Sequence, residues 1–214
     1  MEQSGSYTVF SVPGWGSALA EAMLALCPAP VRVEDMTGFD QPGAVRDRLL
    51  RINPLGQIPT ILLPERTVLT ESAAIALLLS ERHPESALAP AARTPDRAAF
   101  LRRLIWIAAN VYPTFTYGDY PDRWVGTDAT SLKTATDRHR ERLWREFEQE
   151  VSGGGWALGA HLSALDIYIA VMTHWRPGRA WFAANCPRLG AIAARADRLP
   201  LLAAVLQRNF PPAS

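Results

Sequence analysis

The sequence predicts an α/β domain with the element order βαβαββα, followed by an all-helical domain. Short β-rich runs alternate with helical runs over the first 82 residues, and no strand-like run of comparable quality follows them. Residues 83–94 are rich in proline, alanine and serine and lack periodicity. We therefore expect an N-terminal domain at residues 1–83, a linker at 84–94 and a helical domain at 95–214.

The elements of the first domain follow from hydrophobic alternation and from turn residues. A helix separates the first two strands, which favours a parallel pair, whereas Pro64 and Glu65 between the last two strands indicate a hairpin. The predicted strands cover 7–12, 31–36, 58–63 and 66–69, and the predicted helices cover 17–27, 43–52 and 71–82.

The second domain carries clear helix-start signals. Thr94 is a good N-cap and Pro95 suits the first helical position, and apolar residues then recur at helical spacing as far as Pro113. Ser163 and Asp166 have the spacing of a capping box, which predicts a stabilising role at the start of a helix. Further helices are predicted at 131–151, 188–198 and 200–209.

Composition and charge exclude several function classes. The formal net charge is +1, from 22 basic and 21 acidic side chains, which gives no overall field that would gather nucleic acid. No apolar run reaches the roughly 18 residues of a membrane span, and Glu2 without a basic region argues against a secretory leader. Cys27 and Cys186 form no CxxC or metal-ligand pattern, so we expect a reducing cytoplasm and no bound metal.

Three segments together resemble the cytosolic glutathione transferase superfamily, in particular its bacterial, beta- or theta-like, serine-type members. They are NPLGQIPTI (53–61), ESAAI (71–75) and LSALDIYIAV (162–171), in this order and spacing. The resemblance covers essentially the whole chain. It implies a thioredoxin-like N-terminal domain, a helical C-terminal domain, a homodimer and a role in detoxification, with glutathione as co-substrate.

The resemblance also implies a glutathione site in the first domain. A cis bond between Ile58 and Pro59 would turn the Ile58 backbone outward, so that it pairs with the cysteinyl part of glutathione as an added strand. Thr70 is the expected N-cap of the next helix, where Ser72 would hold the γ-glutamyl carboxylate and Glu71 would face the ammonium group. Gln57 is a further candidate for the ligand backbone. The alternatives are that Pro59 merely begins a strand, that Glu71 merely complements the helix dipole and that Gln57 is a plain turn residue.

The catalytic residue has to stabilise the glutathione thiolate, because a free thiol has a pKa of about 8.5. Family members place Tyr, Ser or Cys in the loop after the first strand, and here Gly16 stands where the beta-type cysteine would be. That departure argues against a mixed-disulfide mechanism. Ser17 is the first candidate for the thiolate donor, with Ser11 in reserve. Ser17 could instead cap the first helix, or one serine could do both. Tyr7 lies too early in the chain and is expected in the core.

The hydrophobic substrate pocket is the least specified part of the prediction. The candidates are aromatic or polar residues near the loop and on the first helix of the second domain, namely Trp15, Trp106, Asn110, Tyr112 and Tyr117. Each of the aromatic residues could equally be a core residue.

We expect an enzyme that conjugates the glutathione thiolate to small hydrophobic electrophiles. A glutathione-dependent isomerase or dehalogenase on the same fold is one alternative. A non-catalytic glutathione-binding or interaction protein is the other.

Overall fold

The computed structural model describes residues 5–151 and 153–211, which form two compact units. The first unit contains the described residues up to Ala89 together with those from Asp197 onward, and the second runs from Pro90 to Ala196. The last helix, which the sequence analysis assigns to the helical domain, therefore groups with the first unit. Glu2, on which the expectation about a secretory leader rests, lies outside the described residues.

The first unit is built on a four-stranded mixed sheet. The strands β1 (Tyr7–Ser11), β2 (Val31–Asp35), β3 (Thr60–Leu62) and β4 (Val68–Thr70) lie in the order β2-β1-β3-β4. β1 is parallel to β2 and antiparallel to β3, and β3 is antiparallel to β4. The predicted parallel pair and the predicted hairpin are confirmed.

Helices account for most of the remaining described chain. They are α1 (Ser17–Leu24), α2 (Ala44–Ile52), α3 (Ser72–Arg82), α4 (Asp96–Trp106), α5 (Tyr112–Asp119), α6 (Ala129–Glu150), α7 (Ala164–Met172), α8 (Arg179–Asn185), α9 (Pro187–Ala196) and α10 (Pro200–Asn209). The short helices α5 and α8 were not predicted. Within the described residues, no helix is long and apolar enough to cross a membrane.

Helices cover the sheet of the first unit. Every residue of α1 is buried, and α1 packs against β1, α3 and α10. Leu49 of α2 packs into a cluster with Phe10, Met36 and Phe39. Tyr7 is buried, as expected for a core residue. The sheet is thus held by a fully buried helix and by an amphipathic one.

The second unit is organised around the buried helix α7. All nine of its residues are buried, which its apolar sequence explains. The predicted capping box is present: the Asp166 carboxylate accepts from the Ser163 N–H at 2.8 Å, and its other oxygen accepts from the Ala157 N–H at 2.7 Å. This cap therefore fixes both the start of α7 and the loop before it.

Three helix features differ from the sequence predictions. Thr94 does not cap α4, because its hydroxyl donates to the Ala91 carbonyl at 2.8 Å and the N-cap position falls on Pro95. The N-cap of α3 is Glu71, not Thr70, since Thr70 belongs to β4. The long helix before Pro113 contains a π-helical segment at Ile107–Val111, which joins α4 to α5.

The π-helical segment has a local cause. Proline lacks an N–H and its ring clashes with the carbonyl four residues earlier in a regular α-helix. In this chain the Tyr112 N–H bonds to the Ile107 carbonyl, five residues back, immediately before Pro113. The wider turn accommodates the proline without breaking the helix. Such segments occur frequently at functional sites.

Candidate functional site

The three segments that carry the predicted glutathione site lie at one end of the sheet. Phe10 pairs with Thr60, and Thr60 pairs with Thr70. Because these neighbours are antiparallel, the chain that follows β1, the chain that precedes β3 and the chain that follows β4 all leave the sheet at the same end. The loop 12–16, the pair Ile58-Pro59 and the pair Glu71-Ser72 therefore share this end.

Ile58 presents an unpaired backbone at this end. The Ile58-Pro59 bond is cis, as the resemblance implies, and Pro59 is buried. Within the described residues 5–151 and 153–211, neither the N–H nor the C=O of Ile58 has a hydrogen-bond partner. Gln57 is exposed. A residue just before a strand, with both of its backbone groups available, can pair with an extended peptide.

Asn53 holds the segment before Ile58 in place, although it was not among the residues predicted for the site. The Asn53 side chain is buried, and its Nδ2 donates to the Gln57 carbonyl and to Thr60 Oγ1, each at 3.0 Å. Its Oδ1 accepts from the Leu55 N–H at 3.1 Å. The available signal was an asparagine directly before Pro54, a combination typical of turns.

Glu71 and Ser72 form the start of α3. Glu71 has φ 63°, a conformation that favours glycine, and its side chain is exposed and makes no capping bond. Ser72, the first residue of the helix, is 8% exposed. The first-turn N–H groups of an α-helix lack partners within the helix and attract anions. The two residues thus combine a helix N-terminus with an exposed carboxylate.

Ser17 occupies a different environment from the predicted one. It is fully buried, and its hydroxyl donates to the Val12 carbonyl at 3.0 Å while accepting from the Val12 N–H at 3.0 Å. The residue does not cap α1 either, because the N-cap is Gly16. A hydroxyl has one proton, so in this conformation Ser17 has none left for a thiolate. These two bonds join the residue that follows the loop 12–16 to the first residue of that loop.

Ser11, the reserve candidate, is also buried. Its hydroxyl donates to the carboxylate of Glu21 and lies 3.1 Å from Ser17 Oγ. Glu21 is 3% exposed and forms an ion pair with Arg208 of α10. Both candidate hydroxyls therefore belong to one buried network beneath the loop.

A residue of α10 also holds the loop from its other side. Asn209 is buried, and its Oδ1 accepts from the Gly14 N–H at 3.2 Å. Gly14 has φ 82°, which its lack of a side chain permits. No local pattern could have identified Asn209, because it lies 195 residues after Gly14.

Two backbone donors remain unpaired at the start of α1. Within the described part of the chain, the N–H groups of Gly16 and Ser17 have no acceptor. Both residues are buried, and a buried N–H without an acceptor is uncommon and costs free energy. An anionic group bound beside these two N–H groups would be stabilised.

The substrate-pocket candidates fall into both units. In the first unit, Trp15 is 37% exposed and its ring packs edge-on against Phe39, with 5.2 Å between the ring centroids. It lies in the loop before α1. The remaining candidates belong to the second unit.

In the second unit, the structure brings two of the four candidates together. Asn110 lies in the π-helical segment, is exposed, and donates from Nδ2 to the Trp106 carbonyl at 3.0 Å. The Trp106 ring stacks on Phe147.

The two tyrosine candidates of the second unit pack against different tryptophans. Tyr112 packs against Trp175, and Tyr117 packs against Trp124 with 4.7 Å between the ring centroids. Tyr117 is 37% exposed, whereas Trp106 and Tyr112 are half-buried.

Metal ligands do not cluster in the part of the chain that the structure describes, where no group of three or more His, Cys, Asp or Glu side chains could hold an ion. The two cysteines are buried and form no disulfide, and burial raises the pKa of Cys27 to about 11 and that of Cys186 to about 12. Neither thiol is therefore ionised near neutral pH.

Comparison with known proteins gives one consistent family. A family model described as the N-terminal domain of glutathione S-transferase matches residues 20–82. The uncharacterized GST-like protein YncG of Escherichia coli strain K12 is 41% identical over 201 residues, which are 94% of this chain and 97% of that protein. The glutathione S-transferase GstA of Escherichia coli O157:H7 is 26% identical over 132 residues, 60% of this chain and 62% of that protein.

Solved structures agree with these matches. A sphingomonad glutathione S-transferase complexed with glutathione has a TM-score of 0.77 and 25% identity, and the match covers 95% of this chain and 99% of that one. A glutathione transferase homolog from Sulfitobacter with bound glutathione has a TM-score of 0.80 at 22% identity, over 94% and 96% of the two chains. The latter identity is low enough that the match supports the fold alone.

Proposed function

Because this chain belongs to the cytosolic glutathione S-transferase superfamily, we propose that it binds glutathione and transfers its thiolate to small hydrophobic electrophiles in the cytoplasm. Glutathione binds at the end of the sheet where the loop 12–16, Ile58-Pro59 and Glu71-Ser72 meet. The chain adds no metal and no other cofactor to this reaction.

The unpaired backbone of Ile58 is the observation that carries the proposal. The cysteinyl residue of glutathione offers one N–H and one C=O, which match the two Ile58 groups that have no partner within the described residues. Pairing of this kind is the addition of a short strand to a sheet. Asn53 and Thr60 both donate to the Gln57 carbonyl, at 3.0 and 2.7 Å, so the backbone before Ile58 is held in place before glutathione arrives.

The start of α3 recognises the other end of the tripeptide. The γ-glutamyl carboxylate binds at the helix N-terminus, where Ser72 offers its N–H and hydroxyl. The exposed Glu71 carboxylate faces the ammonium group. The ammonium group thereby meets a carboxylate and the γ-glutamyl carboxylate meets hydrogen-bond donors at a helix N-terminus, and charge-assisted hydrogen bonds are the stronger kind.

The sulfur lies at the start of α1 in this proposal. The unpaired N–H groups of Gly16 and Ser17 and the positive end of the helix stabilise the thiolate. The Ser17 hydroxyl acts as a positioning group, because its proton is donated to Val12. Preorganised backbone donors of this kind can stabilise developing charge without a side-chain donor.

The electrophile binds at aromatic residues of the chain. The candidates are Trp15 in the first unit and, as a separate set in the second unit, Trp106, Asn110, Tyr112 and Tyr117. The exposed Asn110 amide in the π-helical segment offers the polar contact that orients a substrate. The protein acts as a homodimer, as the family resemblance implies.

A specific observation favours a second candidate function. The two serines that flank the loop, Ser11 and Ser17, are buried and donate their hydrogen bonds within the protein, so neither presents an exposed hydroxyl to the thiolate. A protein that binds glutathione without turnover is consistent with that arrangement. The same site would then serve as a glutathione-binding module.

Calorimetric titration with glutathione and with S-methylglutathione tests the binding, and a panel of aryl halides, epoxides and activated alkenes tests the transfer. We expect saturable binding of both ligands and turnover with at least one electrophile class. The Ser72→Ala variant should bind glutathione about ten-fold more weakly, with Ser80→Ala on α3 as the matched control. Binding without turnover on any class would favour the binding module, and absence of binding would refute both functions.

A further inference from the structure

A cavity lies in the first unit, on the face of the sheet that α2 partly covers, and none of its lining residues belongs to the loop 12–16, to Ile58-Pro59 or to Glu71-Ser72. Its volume is about 380 Å³. The residues that line it come from all four strands, from the last turns of α2 and from the β3–β4 turn: Thr8, Phe10, Arg32, Glu34, Arg48, Arg51, Ile52, Leu62, Arg66 and Val68.

The register of the sheet explains the cavity. Thr8 pairs with Arg32 on one side and with Leu62 on the other, and Leu62 pairs with Val68. These residues form a row across one face of the sheet, since paired residues point to the same face. The row lies toward the end away from Thr60 and Thr70. α2 covers the neighbouring part of the face, and the uncovered part is the cavity.

The charge of the lining is strongly positive. It contains four arginines and a single glutamate. Glu34 forms ion pairs with Arg48 and, at 3.3 Å, with Arg32. In the described ranges 5–151 and 153–211, the guanidinium groups of Arg51 and Arg66 have no carboxylate within ion-pair distance. Two positive groups in one cavity are therefore left uncompensated.

The two uncompensated arginines come from different elements. Arg51 lies in the last turn of α2, where a basic residue also complements the helix dipole. The dipole does not account for Arg66, which lies in the turn between β3 and β4 with φ 70°. That conformation favours glycine or asparagine. An arginine at this position adds a positive charge that the turn itself does not require.

The floor of the cavity is apolar. Phe10, Leu62 and Val68 of the sheet and Ile52 of α2 supply it. Arginine binds phosphate and carboxylate groups through paired, parallel hydrogen bonds. A ligand that suits both features has an apolar body and an anionic head group.

We propose that this cavity binds a small organic anion, whose apolar body lies on Phe10, Leu62 and Val68 and whose anionic head bonds to Arg51 and Arg66. The site is separate from the glutathione site and does not depend on the proposed transferase activity. Glutathione and the organic anion can therefore bind at the same time.

Naphthyl phosphate is a suitable probe, because it combines an aromatic body with a phosphate, and calorimetry measures its binding to the full chain. We expect saturable binding with one ligand per chain. Naphthol lacks the charge and inorganic phosphate lacks the apolar body, so each should bind at least ten-fold more weakly. Equal affinity for either of these compounds would overturn the proposal.

Variants of the two arginines locate the site. Arg66→Asn removes the charge and leaves a residue that tolerates the positive φ, and Arg51→Gln keeps a good helix former. Each should weaken binding of naphthyl phosphate about ten-fold, whereas Arg66→Lys, which keeps the charge, should lose less. Arg138→Gln on α6, an exposed position outside the cavity, is the matched control and should bind like the unmodified chain.

The remaining outcomes also decide the proposal. Circular dichroism of each variant confirms that it is folded before binding is compared. Saturating glutathione should leave the affinity for naphthyl phosphate unchanged. Competition by glutathione, unchanged affinity in both arginine variants, an equal loss in Arg138→Gln, or no saturable binding at all would each refute it.

Discussion

Replacing Ser17 with alanine separates two ways in which this chain could stabilise a thiolate. If the hydroxyl donates to the sulfur, its loss removes a hydrogen bond to a charged group. If the backbone N–H groups of Gly16 and Ser17 are the donors, the thiolate keeps its partners. The two possibilities predict different changes in two measurable quantities, the pKa of bound glutathione and the stability of the fold.

The structure sets the size of each effect. A hydrogen bond to a charged group is worth about 1.5–3 kcal/mol, which corresponds to a rise of about 1–2 pH units in the thiol pKa. The Ser17 hydroxyl instead contacts the Val12 carbonyl and N–H, each at 3.0 Å, in a fully buried setting. Leaving these groups unsatisfied should cost about 2–3 kcal/mol of unfolding free energy. For a chain of this length, that lowers Tm by roughly 5–10 °C.

We therefore expect Ser17→Ala to lower Tm by this amount and to raise the thiol pKa of bound glutathione by less than about half a unit. The thiolate absorbance of the bound tripeptide, followed against pH, measures the second quantity, and thermal unfolding measures the first. Ser80→Ala is the control for Tm, because the Ser80 hydroxyl donates to the Leu77 carbonyl on α3. A rise of more than one unit with little change in Tm would refute the assignment of the backbone donors.

Three further predictions concern other parts of the chain. Asn53→Ala should weaken glutathione binding about ten-fold by calorimetry, because the Gln57 carbonyl loses its 3.0 Å bond to Asn53 Nδ2; unchanged affinity would contradict this role. Cys27 and Cys186 should resist alkylation by iodoacetamide in the native protein and react after unfolding, since both are buried with raised pKa values; rapid labelling at neutral pH would contradict it. Burial raises the pKa of Asp166 to about 6, above the unfolded value of about 3.9, so the native chain holds the Asp166 proton more tightly than the unfolded chain. The stability that comes from this difference is fully present below pH 4 and is lost as the pH rises through 6. Denaturant titrations should show that loss, about 2–3 kcal/mol, in the native chain and not in Asp166→Asn.

Local patterns predicted the elements that depend on local interactions. The order of strands and helices in the first unit follows from hydrophobic periodicity and from the Pro64-Glu65 turn. The capping box depends only on Ser163 and Asp166, three residues apart, and it is present as predicted. Helix starts were less predictable: Glu71 replaces Thr70 as N-cap because pairing with Thr60 extends β4 through Thr70.

The environment of the candidate site could not be predicted in the same way. The position of Ser17 in the sequence suits a thiolate donor, but its burial depends on how the chain around Val12 folds back over it. The roles of Arg208 and Asn209 depend on the packing of α10 against the loop 12–16 and α1. Their partners, Glu21 and Gly14, lie almost two hundred residues earlier in the chain. No periodicity or motif encodes a contact of that kind.

These long-range contacts, which the sequence did not predict, affect how the thiolate would be stabilised. A side-chain donor can reorient toward a thiolate, but a backbone N–H points where the local φ and ψ angles direct it. Backbone stabilisation therefore requires a loop that is held rigidly. Asn209 fixes Gly14 from one side, while Arg208 pairs with Glu21, whose carboxylate accepts a hydrogen bond from the Ser11 hydroxyl beneath the loop. Consecutive residues of α10 thus anchor the loop and the helix that follows it. A loop anchored in this way can dispense with an exposed catalytic hydroxyl, because the orientation of its N–H groups is set before the thiolate forms.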